Sequence, residues 1–557
     1  MSESGNMKTS QRLFSFASIF TSWIFLVVSF NNCSSGKFNS YDQSDISSVH
    51  DDSSSSFVPP SPPIDNEVRE NIIPQGSHVR YVRIDGGTAQ ECNGRMNVPY
   101  PGSGTNRACA WKHPRYALGY NSPTVGAASD IVSRAASVVY IESGTYKIGY
   151  GMPDTPNCST SYTYDCLLGR IPTGLTLQGN CSSRPKFSGR ERLGLVLDLT
   201  GASDVTVKCL EITDGAECVE NHMHGTGGSS YACNRGTYPH GEWASTGLVA
   251  GDSANVVIDY VNIHGLGSRG MYAGRISNWE IKNSNIDGNG SVGFDGDIAG
   301  DDYNSGYIKF YRTTVRWNGC VEKLDLSHTG CWGQESGGYG DGLGTGATRG
   351  DWDFDQVVFE YNTSDGLDLL YLKNGGTVKI RNSYFAHNAG NQVKTAAASW
   401  IENNVIVGDC SYHRIFSTMA SGDLCRALGN TISIDVEAND TNIISNNTVT
   451  GEGDCLVISG GSTGGTLKIE KNIFDGRTDW RQDSEKTCFH YTENFSMAVQ
   501  ISSNLVVNTK GGCVNGQICA SPLFTNPNFL NFNPTLLSSS AASGFGAQLS
   551  LLPIKFQ

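Results

Sequence analysis

The segments Phe354-Asp355-Gln356-Val357-Val358-Phe359, Ile380-Arg381-Asn382-Ser383-Tyr384-Phe385 and Ile401-Glu402-Asn403-Asn404-Val405-Ile406 share one pattern. Each opens and closes on a large apolar residue, five positions apart, with mostly polar residues between. The same unit recurs at Val207/Ile212, Ile258/Ile263, Ile281/Ile286, Phe310/Val315, Ile444/Val449, Ile469/Phe474 and Ile501/Val506. Start-to-start steps are mostly about 21 to 32 residues, and the steps 207–258, 310–354 and 401–444 are near twice that. Self-similarity on this scale marks a solenoid. The units are rich in β-branched residues, Asn and Gly and lack a 3.6-residue period, which excludes helical repeats. Propeller blades need about four strands per unit, and these units are too short. An all-β single-stranded parallel β-helix remains. Each coil's short strands pair with the coils above and below at about 4.8 Å, and the apolar pair points inward.

At about 24 residues per coil, residues 170–510 would hold roughly 13 to 14 coils. Asn283, Asn382 and Asn403 lie near turns and suit stacked amide ladders. Two stretches break the period. Residues 77–120 read as an N-terminal cap, needed because the first coil exposes its core and strand edges. Residues 316–345 form a Gly-rich insertion, and long loops on a rigid scaffold are where function concentrates.

Composition agrees with this fold. The chain has 557 residues and 66 Gly without a collagen-like period, so the glycines serve turns. Charged residues are only 17% and aromatics 10%, which excludes an acidic disordered chain. The net charge of −14 argues against nucleic acid as a partner and leaves a neutral glycan, or an acidic polymer bound through a cation. Of 17 Cys, 16 fall into close neighbours: Cys92/Cys109, Cys158/Cys166, Cys181/Cys209, Cys218/Cys233, Cys320/Cys331, Cys410/Cys425, Cys455/Cys488 and Cys513/Cys519. Short-range disulfides are the simplest pairing and imply an oxidising compartment. No C-x₂-C pair supports zinc.

Cys33 stands apart. Lys8 and Arg12 precede an apolar run from Leu13 to Phe30, which reads as an export signal. The run ends in Phe30-Asn31-Asn32-Cys33, which resembles a bacterial lipobox, so residues 1–33 are expected to be a signal segment with Cys33 lipidated. Residues 34–76, rich in Ser, Asp and Pro, read as a disordered tether. The folded domain is expected over 77–545, with 546–557 as a C-terminal tail. These features predict a cell-envelope lipoprotein held to a membrane by its N-terminal lipid, or otherwise a secreted protein.

Counting nine residues past the second member of each apolar pair gives Tyr272, Asp295, Asp368 and Lys394. Two residues earlier lie Gly270, Gly293, Gly366 and Gln392. Asp341, in Tyr339-Gly340-Asp341-Gly342-Leu343, aligns with Asp365 one coil on. Asp341, Asp365, Asp368 and Lys394 are therefore expected on one face. Carboxylates on a rigid wall suit Ca²⁺, and a lysine beside the ion could act as a base.

The repeat resembles the right-handed parallel β-helix (pectate-lyase-like) superfamily over about residues 80–545. Ser521-Pro522-Leu523-Phe524 through Gly544-Phe545-Gly546 looks like the segment that closes such solenoids. Ser364-Asp365-Gly366-Leu367-Asp368 and Gly390-Asn391-Gln392-Val393-Lys394 resemble the site motifs of family 9 polysaccharide lyases, which are calcium-dependent. That resemblance implies Asp341, Asp365 and Asp368 as calcium ligands and Lys394 as the catalytic base. Arg414 is assigned to substrate binding, and the partner is expected to be an acidic polysaccharide. The family carries two adjacent aspartates where Ser364-Asp365 stand.

Two readings compete with a polysaccharide lyase. One is a non-catalytic lipoprotein that binds glycans or serves adhesion; the other is a glycoside hydrolase or epimerase on the same scaffold. Lys394 could also simply pair with Asp368 across coils. His222, His224, His240 and Glu242 lack zinc spacing. Asp295, Asp297, Asp301 and Asp302 form a candidate second cation cluster.

Overall fold

A computed structural model describes residues 70–122, 126–128, 137–155, 158–161, 163–215, 218–220, 232–296, 298, 303–321, 331, 339–372, 375–410, 413, 430–478, 486–493, 496–513 and 516–556. The signal segment, Cys33 and most of the tether lie outside them. No helix among the described residues is long and apolar enough to cross a membrane. The folded body reaches back to Asn71 and Ile72. Asn71 Nδ2 donates to the Tyr140 hydroxyl at 2.9 Å, and Gln178 Nε2 donates to the Ile72 carbonyl at 2.8 Å.

Three parallel sheets build that body. The first has 13 strands, from Val79–Gly87 to Ala498–Ser502; the second has 12, from Thr145–Ile148 to Leu505–Val507. The third has 10, from Leu193–Asp198 to Cys488–Thr492. From Thr176–Gly179 onward the chain visits them in turn, one strand of each per coil. Parallel neighbours joined by such crossovers wind right-handed.

The apolar pairs occupy one inward column in each of two sheets. Val207, Ile258, Ile281, Phe310, Phe354, Ile380, Ile401, Ile444, Ile469 and Ile501 are consecutive partners in the first sheet. Ile212, Ile263, Ile286, Val315, Phe359, Phe385, Ile406, Val449, Phe474 and Val506 do the same in the second. Like side chains stack, as Phe310 does on Phe354 and Phe359 on Phe385, each pair 5.2 Å between ring centroids. Trp111, Tyr116, Ala117 and Leu118 continue the same core at the N-terminal end, where a short helix, Arg115–Leu118, covers it. Val79–Gly87 of the expected cap is itself the first strand of the first sheet.

The coil count is lower than the period suggested. Two of the first sheet's 13 strands precede residue 170, leaving 11 coils rather than 13 to 14. The three long steps are not doubled coils. They are single coils with insertions 214–243, 317–342 and 409–429, and all three leave the same corner, between the second and third sheets. That corner adjoins the candidate site.

Amide ladders stiffen the corners. Asn404, Asn447, Asn472 and Asn504 are buried and pass Nδ2 to the next Oδ1 at 2.9–3.0 Å. Asn289, Asn318, Asn362 and Asn388 do so at 2.8–3.0 Å at the insertion corner. Asn382 and Asn403, one residue before ladder-side positions, take left-handed φ of 52° and 57° and stack half-buried outside, Asn403 donating to Asn382 at 2.8 Å.

The closing segment runs back along the outside of the second sheet. Phe524, Phe532, Ala542 and Leu552 bury Val358, Tyr384, Val405, Val407, Ile473 and Leu505. Residues past 545 take part: Ala547 N donates to Thr448 Oγ1 at 3.1 Å and Gln356 Nε2 to the Leu551 carbonyl at 3.3 Å.

Seven of the expected disulfides are present: Cys92–Cys109, Cys158–Cys166, Cys181–Cys209, Cys218–Cys233, Cys320–Cys331, Cys455–Cys488 and Cys513–Cys519. Cys410 is also disulfide-bonded, while Cys425 lies outside the described residues. Bonds of this number belong to an oxidising compartment. Non-reducing peptide mapping should recover these short-range links and Cys410–Cys425; a long-range link or a free thiol among these cysteines would contradict the fold.

Candidate functional site

The site grows from the register of the third sheet. Tyr272, Asp295, Gly344, Asp368 and Lys394 are successive strand partners and form one outward column. Two residues earlier, Gly270, Gly293, Gly342 and Gly366 stack in turn, and a Cβ on each would meet the next coil's backbone oxygen at 2.4–2.7 Å. A Cβ on any of them would also meet the amide nitrogen of Asn289, Asn318, Asn362 or Asn388 at 2.7–2.8 Å. The glycines therefore make room for the buried ladder. The ladder fixes the corner from which the acidic residues project.

One residue before this glycine column lie Asp341, Asp365 and Asn391. Asp341 Oδ1 accepts from Asp365 N at 3.0 Å; Asp365 Oδ1 accepts from Asn391 N at 2.7 Å and from Asn391 Nδ2 at 3.1 Å. Asp341 and Asp365 are buried, and Asp368 and Lys394 keep 15% and 17% of their side chains exposed, so the site opens to solvent on one side only. Asp341, Asp365 and Asp368 each bring a carboxylate oxygen within 4.8 Å of the others. Lys394 Nζ sits on the group, 2.5 Å from Asp365 Oδ2 and 3.1 Å from Asp368 Oδ2.

Burial and mutual repulsion set the electrostatics. Burial first, then the charges of Asp365 and Asp368, hold the Asp341 carboxyl well above its usual range, although Lys394 pulls it down. Burial also raises Asp368 against the pull of Lys394, with Asp365 adding to the rise. Burial alone would lower Lys394, but Asp365, Asp368 and Asp341 outweigh it and keep the ammonium charged beyond its ordinary value. In this state the lysine is the cluster's counter-ion and cannot accept a proton. The same oxygens fit a divalent cation. Calcium–oxygen contacts of about 2.3–2.6 Å put two ligands of one ion at most about 5 Å apart, and the cluster meets that limit.

The structure thus brings Asp341, Asp365, Asp368 and Lys394 together, while Arg414 lies outside the described residues. Asn391 was not singled out by the sequence reading, and Ser364 only as the place where the family carries an aspartate. The count that aligns Asp341 with Asp365 also reaches Asn391, and the Ser364 hydroxyl hydrogen-bonds Asp341. The other candidates disperse. Asp295 is ion-paired with Arg269, and Asp297, Asp301 and Asp302 lie outside the described residues. So do His222 and His224; Glu242 pairs with Lys147 and Arg190, and His240 N donates to Glu191 at 2.8 Å. Among the described residues one other group, Cys158, Asp165 and Cys166, has ligand-like spacing, but its sulfurs are joined in a disulfide.

No family model matches the chain, and no curated protein matches it. Solved structures similar to it include pectate lyase Pel9A, at 12% identity over 86% of this chain and 89% of that one, with a TM-score of 0.34. The AlgE6 A-module of mannuronan C-5 epimerase from Azotobacter vinelandii is 13% identical over 69% and 91%, with a TM-score of 0.34. PfbA, a surface adhesin of Streptococcus pneumoniae, is 9% identical over 68% and 85%, with a TM-score of 0.35. Likeness at this level carries no argument for activity. The chain's own three sheets establish its architecture: a right-handed parallel β-helix, as its resemblance to the pectate-lyase-like superfamily implied.

Proposed function

We propose that the chain is an exported polysaccharide lyase that cleaves a uronate-containing polymer by calcium-assisted β-elimination. The supporting observation is a lysine placed directly on a partly exposed cluster of carboxylates that fits a calcium ion. Asp341, Asp365 and Asp368 would hold the ion. Calcium, when bound, would neutralise the substrate carboxylate, acidify the carbon beside it and oppose protonation of the lysine. Lys394 Nζ, once neutral, takes the proton from that carbon. The electron pair forms a double bond to the neighbouring carbon as its glycosidic oxygen leaves, and that oxygen takes up a proton. The ion pair of Lys394 with Asp365 and Asp368 is equally what a non-catalytic glycan-binding wall would show. A panel of uronate polymers followed by absorbance of the unsaturated product, with calcium and with chelator, separates the two. No product on any polymer with calcium present would sink the lyase reading. The membrane anchor is proposed on Cys33 alone, and mass analysis of the mature N-terminus tests it.

Calcium is expected to stabilise the fold in a pH-dependent way. A carboxyl whose folded pKa is raised costs the native state stability once ionised. That cost is absent below the ordinary carboxyl value and grows as pH rises through the raised one. Asp341 and Asp368 are both raised. A cation needs their ionised forms and removes that cost. The calcium-induced rise in Tm should therefore be small near about pH 4 and increase toward neutral and alkaline pH. Asp365→Ala and Asp368→Ala should abolish it while leaving the β-rich spectrum unchanged. An unchanged Tm of stripped wild type at every pH would remove calcium from the site.

A further inference from the structure

Arg269 lies in the same column as Asp341, Asp365 and Asn391. Gly270 stacks on Gly293, Gly293 on Gly342 and Gly342 on Gly366, so the residues before them, Arg269, Val292, Asp341 and Asp365, stack as well. Arg269 is therefore two strand spacings from Asp341, about 10 Å along the solenoid axis. One strand spacing approximates the length of one pyranose residue. A glycan lying along the third sheet with one sugar at the acidic cluster would place the sugar two residues away beside Arg269.

The side chain is held ready for a ligand. Its Nε donates to Asp295 Oδ2, and the guanidinium carbon lies over the Tyr272 ring, 4.7 Å from its centroid. Tyr272 and Asp295 are adjacent members of the outward column that continues to Asp368 and Lys394. The Arg269 side chain keeps 35% of its surface exposed. Between it and the cluster the outward column holds Asp295, whose carboxylate is engaged by Arg269 Nε, and then Gly344, which adds no side chain to the floor. A guanidinium engaged at Nε by one carboxylate still carries terminal N–H donors in the fork that matches a second. A tyrosine ring beside it gives a sugar an apolar face. The sequence reading counted Tyr272 and Asp295 into the column and gave Arg269 no role.

We infer that Arg269, braced by Asp295 and Tyr272, binds the carboxylate of a sugar two residues from the acidic cluster, and so selects a polyuronate chain over a neutral glycan. This rests on the proposal that the third-sheet face takes an acidic polysaccharide, but it does not require cleavage. The test is calorimetric binding of galacturonate, mannuronate and guluronate oligomers, as dimers and hexamers, with calcium present. For whichever hexamer binds best, Arg269→Gln should weaken affinity about 10-fold, with Arg269→Lys in between. The dimer, too short to span cluster and arginine together, and the methyl-esterified hexamer should be insensitive to the substitution. In turnover, the loss should appear in KM with kcat retained.

Equal losses on free and esterified hexamers would assign Arg269 a structural role and overturn the inference. So would unchanged hexamer affinity in Arg269→Gln, or the absence of binding by any free-acid oligomer. Should Arg269→Gln fold poorly, Arg269→Lys carries the same comparison of free acid with ester. Arg269-dependent binding without unsaturated product would sustain the inference while the lyase reading falls. Unsaturated product made equally well by Arg269→Gln, at unchanged KM, would do the reverse.

Discussion

Lys394→Ala is expected to leave no detectable elimination product. Among the described residues, Lys394 is the one amine lying on the Asp341/Asp365/Asp368 group, so no neighbour takes over as base. Lys394→Arg should fail nearly as badly, because a guanidinium stays protonated at any working pH. Wild-type activity should rise with pH as the lysine deprotonates, and should vanish in chelator, where the aspartates hold its proton. An exposed ion pair would be worth only about 0–1 kcal/mol, and on that view the variant would be as stable as wild type. The structure changes this expectation. Asp365 is 1% exposed, so removing the lysine strands a buried carboxylate, a loss of about 3–5 kcal/mol. Lys394→Ala should therefore melt lower than wild type in chelator and regain much of the difference in calcium. If both variants keep wild-type activity, Lys394 is a structural partner of Asp365 and Asp368 and not the base; a wild type inert on every uronate polymer, with calcium present, would instead favour the binding scaffold.

Some of this was legible in the sequence because strand register is arithmetic. Once Phe359 and Phe385 stack, fixed offsets carry Asp368 onto Lys394 and Gly366 onto Gln392, since the turns between have constant length. The same arithmetic fails where turn length varies. Nothing in the steps 207–258, 310–354 and 401–444 says whether they hold one long coil or two short ones. A loop of any length can leave a corner without disturbing the pairs on either side. Asn382 and Asn403 do stack, Asn403 donating to Asn382, but the sequence does not show that the buried ladder lies one residue further on. Asn at both 403 and 404 suits a turn by composition. Only the φ of 57° at Asn403 turns that side chain outward and leaves Asn404 for the buried ladder.

The cover on the second sheet has a sequence signal of another kind. In Val358-Phe359, Tyr384-Phe385-Ala386 and Val405-Ile406-Val407 the apolar residues do not alternate with polar ones. Such strands are buried on both faces. The outer face needs a partner, and the aromatic-rich segment from Phe524 to Leu552 provides it. The side-chain roles at the site had no comparable signal. Asn391 is an ordinary turn residue by type. The offset that carries Gly366 onto Gln392 also reaches Asn391, but nothing in its residue type marks the contact with Asp365 that results.

The stacking of Gly366 on Gln392 is the most exacting packing demand near the site, and Gly366→Ala should expose it. The Gly366 φ is not in the left-handed region, so alanine meets no backbone penalty and the effect is steric. The new Cβ would sit 2.6 Å from the Gln392 carbonyl oxygen and 2.8 Å from Asn388 Nδ2. Neither can retreat cheaply. The first is backbone in a ladder of parallel strands. The second is buried and donates to Gln392 Oε1 at 2.7 Å, while the Asn388 carboxamide oxygen accepts from Asn362 Nδ2 at 2.8 Å. Overpacking of this kind costs about 1–3 kcal/mol, and a displaced buried amide adds about 1–3 kcal/mol. A clear fall in Tm is expected, together with a weaker calcium response, because Asp365 and Asp368 flank the glycine. Gly251→Ala is the matched control. It ends a strand of the same sheet, and its Cβ would meet only Arg275 Nη2 at 3.4 Å and Thr200 Cγ2 at 3.7 Å, side-chain atoms with room to move. Its Tm should stay close to wild type. Equal Tm values for the two variants would mean that the glycine column is not what seats the asparagine ladder. The rigid origin assigned to the acidic cluster would then fail with it.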